Sequence, residues 1–430
     1  MVLRLNMADS SFEKSFSEYA STSRESGADV RPDVAAIIDK VRSEGFGALA
    51  ELTEKYDGHS ISKETARVSL ESCREAFKSL DKDLQGALRH SADRIRVFHE
   101  RQIPDDFREV DSVGIEAGWR WTPVDAAGLY APGGRAAYPS SVLMNAIPAK
   151  VAGVERLVLV TPTPGGTVNQ TVLAAAYVAG VDEVWVVGGA QAIAALAFGA
   201  DPIEPVDVIV GPGNAFVAEA KRQVFGHVGV DSVAGPSEVV VIADADNDPD
   251  WIAADLLSQA EHDPSSQAVL FTPDKELADA VAAAATKQLE DHPRRDITTA
   301  AWQNNSAIVV TQSLTAAASL SNRLAPEHLE IATEHPEEVF AEIKHAGAVF
   351  LGKHAPEALG DYLAGPNHVL PTSGAARYAS GLSTLNFMKR TTIVRAGPDA
   401  IKKVGEDVIK LADAEGLPGH ARSISFRLGQ

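Results

Sequence analysis

The sequence has almost no cysteine and too few basic residues to balance its acidic ones. Cys73 is the only cysteine among 430 residues, so the chain cannot form an intrachain disulfide. No neighbour in its charged, helical-looking run would activate the thiol, which indicates a structural residue rather than a nucleophile. Lysine and arginine number 39 against 59 aspartates and glutamates, a net charge of -20. This balance argues against nucleic acid or an anionic membrane as the main partner.

Apolar runs long enough to cross a membrane are also lacking. The longest, residues 184–200, is interrupted by Gln191 and three glycines, and it is typical of a strand, a turn and a helix rather than a membrane span. The first residues contain no apolar core of signal-peptide length. We therefore expect a cytoplasmic protein, and the chain length predicts two or three domains.

The sequence does contain repeated units of a short apolar run, a glycine turn and a helical segment. Such units predict parallel strands in doubly wound sheets, with ligands at the carboxyl ends of the strands. The strands are expected at 126–130, 157–160, 184–187 and 206–210, and in a second set at 238–242, 268–271, 307–310 and 348–351. The predicted fold class is α/β, with two incomplete Rossmann-like doubly wound domains, an N-terminal helical arm and a small C-terminal tail domain.

Four regions follow from this pattern. They are an N-terminal arm (1–25), a discontinuous first α/β domain (26–124 plus 237–380), an inserted second α/β domain (125–236) and a C-terminal tail (381–430). The tail is expected to contain one strand and one long helix.

One apolar, helical run ends in Gln259-Ala260-Glu261-His262-Asp263. Gln259 and His262 are three residues apart, so on a helix they lie on one face. An amide oxygen and an imidazole one turn apart provide half of a divalent-metal site, since Zn²⁺ needs about four ligands. The plain alternative is a helix end with charges near solvent, and the spacing alone does not exclude it.

A glycine turn at Gly211-Pro212-Gly213-Asn214 follows a strand and opens a helix, the context of a dinucleotide-binding turn. Phe216 replaces the third glycine of that fingerprint, and Pro212 lacks an N–H that could bind phosphate. Asp231 lies at about the right distance for a ribose-binding acid but does not end a clear strand. The turn could hold a dinucleotide in another way or serve only as a tight connection.

Glu327 and His328 are adjacent, and Pro326 stands where the first turn of a helix would start. Such a pair can supply a carboxylate to activate water and an imidazole to accept a proton near neutral pH. The alternative is a capping carboxylate beside a partly buried histidine.

Three further candidates lie closer to the C-terminus. Asp361 is a possible carboxylate ligand, and His368 lies in a Gly-Pro turn, where loops commonly present functional groups. His420 follows a charged helical segment. Each has a simpler explanation by itself, as part of a polar loop or of an exposed terminal region.

Nine motifs, taken in order, resemble those of the histidinol dehydrogenase family. They are Tyr130-Ala131-Pro132-Gly133-Gly134, Gly188-Gly189-Ala190-Gln191-Ala192-Ile193, Gly211-Pro212-Gly213-Asn214, Ala234-Gly235-Pro236-Ser237-Glu238, Gln259-Ala260-Glu261-His262-Asp263, Ala325-Pro326-Glu327-His328-Leu329, Gly360-Asp361-Tyr362, Gly365-Pro366-Asn367-His368-Val369-Leu370-Pro371-Thr372, and Glu415-Gly416-Leu417 with His420. The set extends from about residue 130 to the C-terminus. Each motif is weak by itself, but the ordered set is highly specific.

The resemblance implies oxidation of L-histidinol to L-histidine in two hydride transfers, with NAD and Zn as cofactors. The implied Zn ligands, matched motif by motif, are Gln259, His262, Asp361 and His420. The implied substrate contacts are those four together with Ser237, His328, His368 and Glu415. The implied NAD contacts are Tyr130, Gln191 and Asn214, in the inserted domain.

The resemblance also implies how the site works. His328 is the base for the alcohol step, Glu327 activates water for the aldehyde step, and Zn holds the imidazole and amine of the substrate. It implies an intertwined homodimer in which the tail, with Glu415 and His420, completes the site of the partner.

Three other functions are weighed against this one. A related Zn- and NAD-dependent dehydrogenase could act on another small alcohol, such as a sulfonated diol, but Ser237, His368 and Glu415 suit an imidazole and amine substrate. A catalytically silent Zn-binding scaffold would not need the Glu327–His328 pair. A Zn hydrolase would leave the glycine turns unexplained.

Overall fold

The computed structural model describes residues 2–22, 29–133, 138–233 and 235–430. Its strands are β1 (Leu3–Asn6), β2 (Arg67–Val68), β3 (Phe107–Val110), β4 (Ile115–Pro123), β5 (Ala126–Tyr130), β6 (Arg156–Val160), β7 (Glu183–Trp185), β8 (Val208–Val210), β9 (Gly229–Val230), β10 (Glu238–Ala243), β11 (Gln267–Thr272), β12 (Ala307–Val310), β13 (His328–Ala332), β14 (Ala348–Leu351) and β15 (Met388–Ala396). Its α-helices are α1 (Phe12–Ser21), α2 (Arg31–Glu44), α3 (Phe46–Asp57), α4 (Leu70–Ser79), α5 (Lys82–Glu100), α6 (Pro139–Ala152), α7 (Gln170–Ala179), α8 (Gly189–Phe198), α9 (Ala215–Val224), α10 (Pro249–Ala260), α11 (Lys275–Gln288), α12 (Arg295–Asn304), α13 (Leu314–Leu324), α14 (Pro336–Phe340), α15 (Glu357–Tyr362), α16 (Pro398–Ala414) and α17 (Pro418–Leu428). The predicted α/β class is confirmed. Among the described helices, none is both long and apolar enough to cross a membrane.

The first sheet has six parallel strands in the order β1-β12-β11-β10-β13-β14. Strand β10 lies between β11 and β13, with Val239 opposite His328. Strands β10 and β11 are buried along their whole length, as expected for parallel strands covered by helices on both faces. The N-terminal arm contributes β1 as the edge strand next to β12, so this arm is part of the first sheet.

The central sheet has the order β2-β7-β6-β5-β8-β9, and it is parallel except for β2, which pairs antiparallel with β7. The chain therefore adds strands outward from β5 to β7 on one side and then reverses to add β8 and β9 on the other. Such a switch point, here between β5 and β8, opens a crevice at the carboxyl ends of the strands. This order is the one on which dinucleotide-binding sheets are built.

Helices α2–α5 pack on the central sheet. Residues 26–124 are expected in the first α/β domain. Instead, α2 and α3 bury their apolar faces in one core of the central sheet, and α4 and α5 do so in the other. An amphipathic pattern shows that one face of a helix is buried but not which sheet covers it. The boundary between residues 25 and 26 lies outside the described residues, and the remaining limits stay predictions.

One buried strand is missing from the sequence prediction. The run that begins at Pro326 is expected to open a helix, but His328–Ala332 form β13, between β10 and β14. Ala325 ends α13 in the left-handed conformation, with a φ of 52°. A proline just after such a cap cannot continue the helix, so Pro326 marks an end here rather than a beginning.

The tail forms an antiparallel sheet with the preceding domain and a helical pair. Strand β15 pairs with β4 over nine residues, and β3 pairs with the other side of β4. Helix α16 matches the predicted long helix. Helix α17 is not predicted from the sequence, although Pro418 takes a first-turn position that favours a helix start. The two helices pack against each other.

Candidate active site

Most of the predicted site residues meet at the amino edge of the first sheet. Ser237 precedes β10, and Glu327 immediately precedes His328, the first residue of the neighbouring β13. Helix α10 runs back antiparallel to the strands, as crossover helices do, so its last turn brings Gln259 to the same edge. On this sheet the predicted site residues therefore lie at the amino edge, whereas ligands are expected at the carboxyl ends of the strands.

His328 is held in one orientation by its Nδ1 atom. Nδ1 lies 3.1 Å from the main-chain oxygen of Glu238, and a carbonyl oxygen can only accept, so Nδ1 carries the proton. Nε2 is buried without a hydrogen-bond partner in the described part of the chain. Burial lowers the pKa of His328 to about 4, which keeps the imidazole neutral near pH 7. Nε2 is therefore a buried proton acceptor.

Glu327 is 6% exposed, and its Oε2 accepts the main-chain N–H of Glu238 at 3.0 Å. Burial raises the pKa of Glu327 well above its ordinary value, the Glu238 N–H opposes this shift, and the charges of Glu238 and Asp361 add to it. A carboxylate with a raised pKa is a stronger base in its ionised form. The pair therefore presents two proton acceptors of different strength at one strand end.

Asp361 lies among three histidines. Its Oδ1 is 3.5 Å from Nδ1 of His368. Burial acts to raise the pKa of Asp361, but the hydrogen bond with His368 and the charges of His368, His328 and His262 lower it overall. Burial lowers the pKa of His262, against the charges of Asp361 and Glu261. The lowered pKa values of His262 and Asp361 favour a neutral imidazole and an ionised carboxylate, the protonation states that metal ligands need.

Glu357 belongs to this cluster but is not predicted from the sequence. Ligand atoms of His328, Glu357 and Asp361 all lie within 4.8 Å of one another, a group that could hold a metal ion. The amide of Gln259, oriented to satisfy its neighbours, donates to both carboxylate oxygens of Glu357 at 2.6 and 3.0 Å. Glu357 and Asp361 are four residues apart on α15 and so lie on one face of the helix. This spacing is the sequence signal that could have identified Glu357 as a site residue.

A cavity of about 440 Å³ opens onto the cluster. His328, Asp361 and His368 line it on the side of the first sheet, and Phe98 and Gln102, from the end of α5 and just after it, line another part. A cavity of this size suits a small organic molecule. His328 and Asp361 therefore face a space that can hold a substrate.

Two predicted site residues are not brought to the cluster within the chain. Glu415 ends α16 and His420 lies in the first turn of α17, and both are exposed. These helices pack on each other, and α16 packs on β15. Neither residue belongs to the group of possible metal ligands in the described chain.

The predicted cofactor residues lie at the carboxyl edge of the central sheet. Tyr130 ends β5, and its hydroxyl accepts the N–H of Gly189 at 3.1 Å. Gln191, in the first turn of α8, is buried. The side-chain oxygen of Asn214 caps α9 by accepting two main-chain N–H groups. Tyr130 and Asn214 stand on the two sides of the switch point between β5 and β8.

A buried ion pair holds the glycine turn that carries Asn214. The side chains of Lys221 and Asp231 are 2% and 4% exposed and form a salt bridge. Lys221 also donates to the carbonyl of Gly211 at 3.0 Å, and Asp231 accepts the Gly211 N–H at 2.8 Å. An added Cβ at Gly211, where φ is 111°, would collide with the carbonyl of Tyr130. Asp231 thus supports the turn instead of being free for a ribose.

The structure combines a buried His–Glu pair, whose histidine lines a cavity, with a sheet that has the strand order of dinucleotide-binding domains. This combination defines an oxidoreductase of the α/β class. The model of the family described as histidinol dehydrogenase matches residues 20–428. The chain belongs to the histidinol dehydrogenase family.

Individual relatives agree with this assignment along the whole chain. The histidinol dehydrogenase of Zymomonas mobilis is 52% identical over 430 residues, covering 100% of both chains. That of Rhizobium meliloti is 52% identical, covering 100% of this chain and 99% of the relative. The crystal structure of histidinol dehydrogenase from Elizabethkingia anophelis superposes with a TM-score of 0.94 at 34% identity, covering 100% of this chain and 98% of that one.

Replacing Lys221 by methionine should lower the free energy of unfolding by about 3–5 kcal/mol, because it leaves the Asp231 carboxylate buried without its partner. Urea denaturation of the variant and the wild type measures this difference. The double variant Lys221→Met with Asp231→Asn removes both charges, keeps a side-chain acceptor for the Gly211 N–H, and should recover most of the loss. A loss below about 1 kcal/mol in the single variant, the range of exposed pairs, would contradict the buried pair.

Proposed function

We propose that the protein oxidises L-histidinol to L-histidine in two NAD-dependent steps, the last steps of histidine biosynthesis, with Zn²⁺ positioning the substrate. The names of the similar proteins support L-histidinol as the substrate. The observation that carries the mechanism is the unpartnered, buried Nε2 of His328, whose ring faces the cavity. Bound NAD would accept a hydride in each step, and bound Zn²⁺ would hold the imidazole and amine of the substrate.

In the alcohol step, His328 Nε2 takes the hydroxyl proton of the substrate as hydride leaves the adjacent carbon. Nδ1 donates to the Glu238 carbonyl. This hydrogen bond stabilises the positive charge that forms on the ring when Nε2 takes the proton. Glu357 places a second oxygen 3.6 Å from Nδ1, although burial and the charge of Asp361 raise the pKa of Glu357 and favour its neutral form. The product of this step is an aldehyde.

In the aldehyde step, Glu327 takes a proton from a water molecule that adds to the aldehyde carbon. The resulting hydrate then loses hydride, and a carboxylate is formed. Glu327 and His328 adjoin each other on one strand, with Oε2 of Glu327 3.8 Å from Nδ1 of His328. Both steps can therefore act on a substrate that stays in one cavity, which protects the reactive aldehyde.

The donor set in the chain suits a divalent metal ion. Gln259, His262 and Asp361 supply an amide, an imidazole and a carboxylate at the same sheet edge, and the last turn of α10 adds the negative end of its helix dipole. With His420 of a second copy these are the four ligands that we propose. His328, Glu357 and Asp361 also lie close enough together to hold a metal ion. Asp361 belongs to both sets of possible ligands.

The central sheet suits NAD for two reasons. The crevice at its switch point lies between Tyr130 and Asn214, where dinucleotides bind in sheets of this order. Helices α8 and α9 begin at the same edge, with Gly189 and Ala215, and helix N-termini favour phosphate groups. Gln191 lies in the first turn of α8. We propose Tyr130, Gln191 and Asn214 as NAD contacts.

The tail supports a homodimer. Val394, Leu411 and Phe426 are 70%, 67% and 65% exposed. They lie on β15, α16 and α17, the elements of the tail that also contains Glu415 and His420. Exposed apolar groups of this kind mark protein interfaces. We propose that each tail packs its exposed apolar side chains against the partner subunit. Glu415 and His420 of the tail would then lie in the substrate site of the partner. A cytoplasmic location stays a prediction.

The direct test mixes the purified protein with Zn²⁺, NAD and L-histidinol and follows the absorbance of reduced nicotinamide. About two equivalents of NADH should form per histidinol, one for each hydride. No signal would contradict the proposal. A signal with a sulfonated diol and none with histidinol would instead indicate a dehydrogenase of the same family with another alcohol substrate.

Glu327→Gln should slow oxidation of the aldehyde by about 10²–10⁴-fold and leave the alcohol step largely intact, because it removes only the base for water. In the wild type the aldehyde step should fall as the pH drops through the raised pKa of Glu327, since protonation removes the same base. Stopped-flow measurements with each substrate separate the steps. Equal loss of both steps would contradict the division of roles between Glu327 and His328.

His262→Asn should reduce bound Zn²⁺ to below about a tenth of the wild-type content, because a ligand is lost from a site that needs four. Elemental analysis after dialysis gives the metal content. His354→Asn is the matched control, since His354 is an exposed histidine just beyond β14, and its Zn²⁺ content should equal that of the wild type. Unchanged metal in His262→Asn would refute this ligand.

Heterodimers of one His328→Asn chain and one His420→Asn chain should recover about half of the wild-type activity. If the tail serves the partner, one site of such a dimer carries both changes and the other carries neither. Co-expression with two different affinity tags isolates the heterodimer, and each homodimeric variant should be nearly inactive. A heterodimer as inactive as its parents would show that His420 serves the site of its own chain.

A further inference from the structure

The strand order of the central sheet predicts where a carboxylate would bind the ribose of a dinucleotide. In sheets of this order an acidic side chain at the carboxyl end of the strand beside the glycine-turn strand binds the ribose hydroxyls of the adenosine. Here β5 leads into the turn at Pro132-Gly133, and β6 is its neighbour. After β6 the chain continues with Thr161-Pro162-Thr163, which contains no acid. A carboxylate at this position must therefore come from another element.

Asp57 occupies this place from outside the sheet. It is the last residue of α3, which packs on the central sheet through Leu49 and Leu52. The Oδ2 atom of Asp57 accepts the N–H of Thr163 at 3.3 Å, so the carboxylate lies against the loop that follows β6. In the described part of the chain this is its single hydrogen bond, and Oδ1 remains for another donor.

The other acidic candidate at this edge is already engaged. Asp231 follows β9 and binds the Lys221 ammonium and the Gly211 N–H, which leaves it with a structural role in the turn. Asp57, in contrast, is half-buried rather than enclosed. Burial raises the pKa of Asp57, and the Thr163 N–H and the charge of His59 partly offset this. Two ribose hydroxyls would supply the donors that such a carboxylate lacks.

We propose that Asp57 binds the 2′- and 3′-hydroxyls of the adenosine ribose and thereby selects NAD over NADP, an inference that rests on the proposed NAD-dependent function. A 2′-phosphate at this position would bring its negative charges against the Asp57 carboxylate. The cost of that contact is high in a half-buried site, where water screens charges poorly. Asp57 lies on a helix outside the sheet, so a fingerprint that places the acid at the end of the neighbouring strand does not include it.

The test measures dinucleotide binding in the full-length protein without turnover. Titration of NADH and NADPH, followed by nicotinamide fluorescence, gives both dissociation constants. Asp57→Asn should weaken NADH binding about tenfold, since it replaces charge-assisted hydrogen bonds by neutral ones. NADPH binding should stay equal or improve, so the preference for NADH over NADPH should fall at least about tenfold.

Glu54→Gln is the matched control, because Glu54 is exposed on the preceding turn of α3 and loses the same charge. It should bind both dinucleotides as the wild type does. Asp57→Ser provides a second variant of the same site, and thermal unfolding of all three variants shows whether α3 stays folded. A Kd for NADH within about twofold of the wild type in a folded Asp57→Asn protein would overturn the inference.

The outcomes also separate this inference from the proposed function. A wild type that oxidises histidinol and binds NADH, with Asp57 variants that bind each dinucleotide as tightly as the wild type does, overturns the role of Asp57 alone. A wild type that binds neither NADH nor NADPH overturns both the NAD-dependent function and the role of Asp57. Equal weakening in Glu54→Gln would assign the effect to the net charge of α3 and also overturn the inference.

Discussion

Both proposed catalytic side chains depend on the main chain of one residue. The N–H of Glu238 binds the carboxylate of Glu327, and its carbonyl accepts the Nδ1 proton of His328. These two bonds exist because β10 and β13 pair in parallel with Val239 opposite His328. The orientation and the protonation state of the imidazole therefore follow from the register of two central strands. A slip of this register by one residue would turn both side chains to the other face.

The two sheets use opposite edges for their sites, and the connections explain the difference. On the central sheet the candidate cofactor residues follow the strands directly, at the carboxyl edge. On the first sheet, Gln259 comes from the end of a crossover helix and Glu327 from just before the start of a strand. Helices that run antiparallel to the strands return the chain to the amino edge, so this edge collects polar side chains as well. The negative end of α10 there favours a cation.

Much of the α/β pattern could be predicted from the sequence because it is local. Continuous apolar runs such as 238–242 and glycine turns such as 211–214 mark buried strands and the turns after them. Strand β13 escaped prediction because its five residues include His328 and Glu330, which interrupt the apolar run. The packing of α2–α5 on the central sheet could not be predicted, because the periodicity of apolar residues shows that one face of a helix is buried but not which sheet covers it. The place of Glu357 in the site was not predicted, because its neighbours Gln259 and His328 are far from it in the sequence.

The sequence by itself determined the α/β class, the family through its ordered motifs, and the residue types of the site, since these depend on local composition and spacing. Only the tertiary structure decided that His328 presents Nε2 as a buried acceptor, that Glu357 lies beside His328 and Gln259, and that Lys221 and Asp231 form a buried pair. Each of these depends on residues distant in the chain that folding brings within a few ångströms, at burial that shifts their protonation. Burial and distance are properties of the packed chain, so no local pattern can contain them.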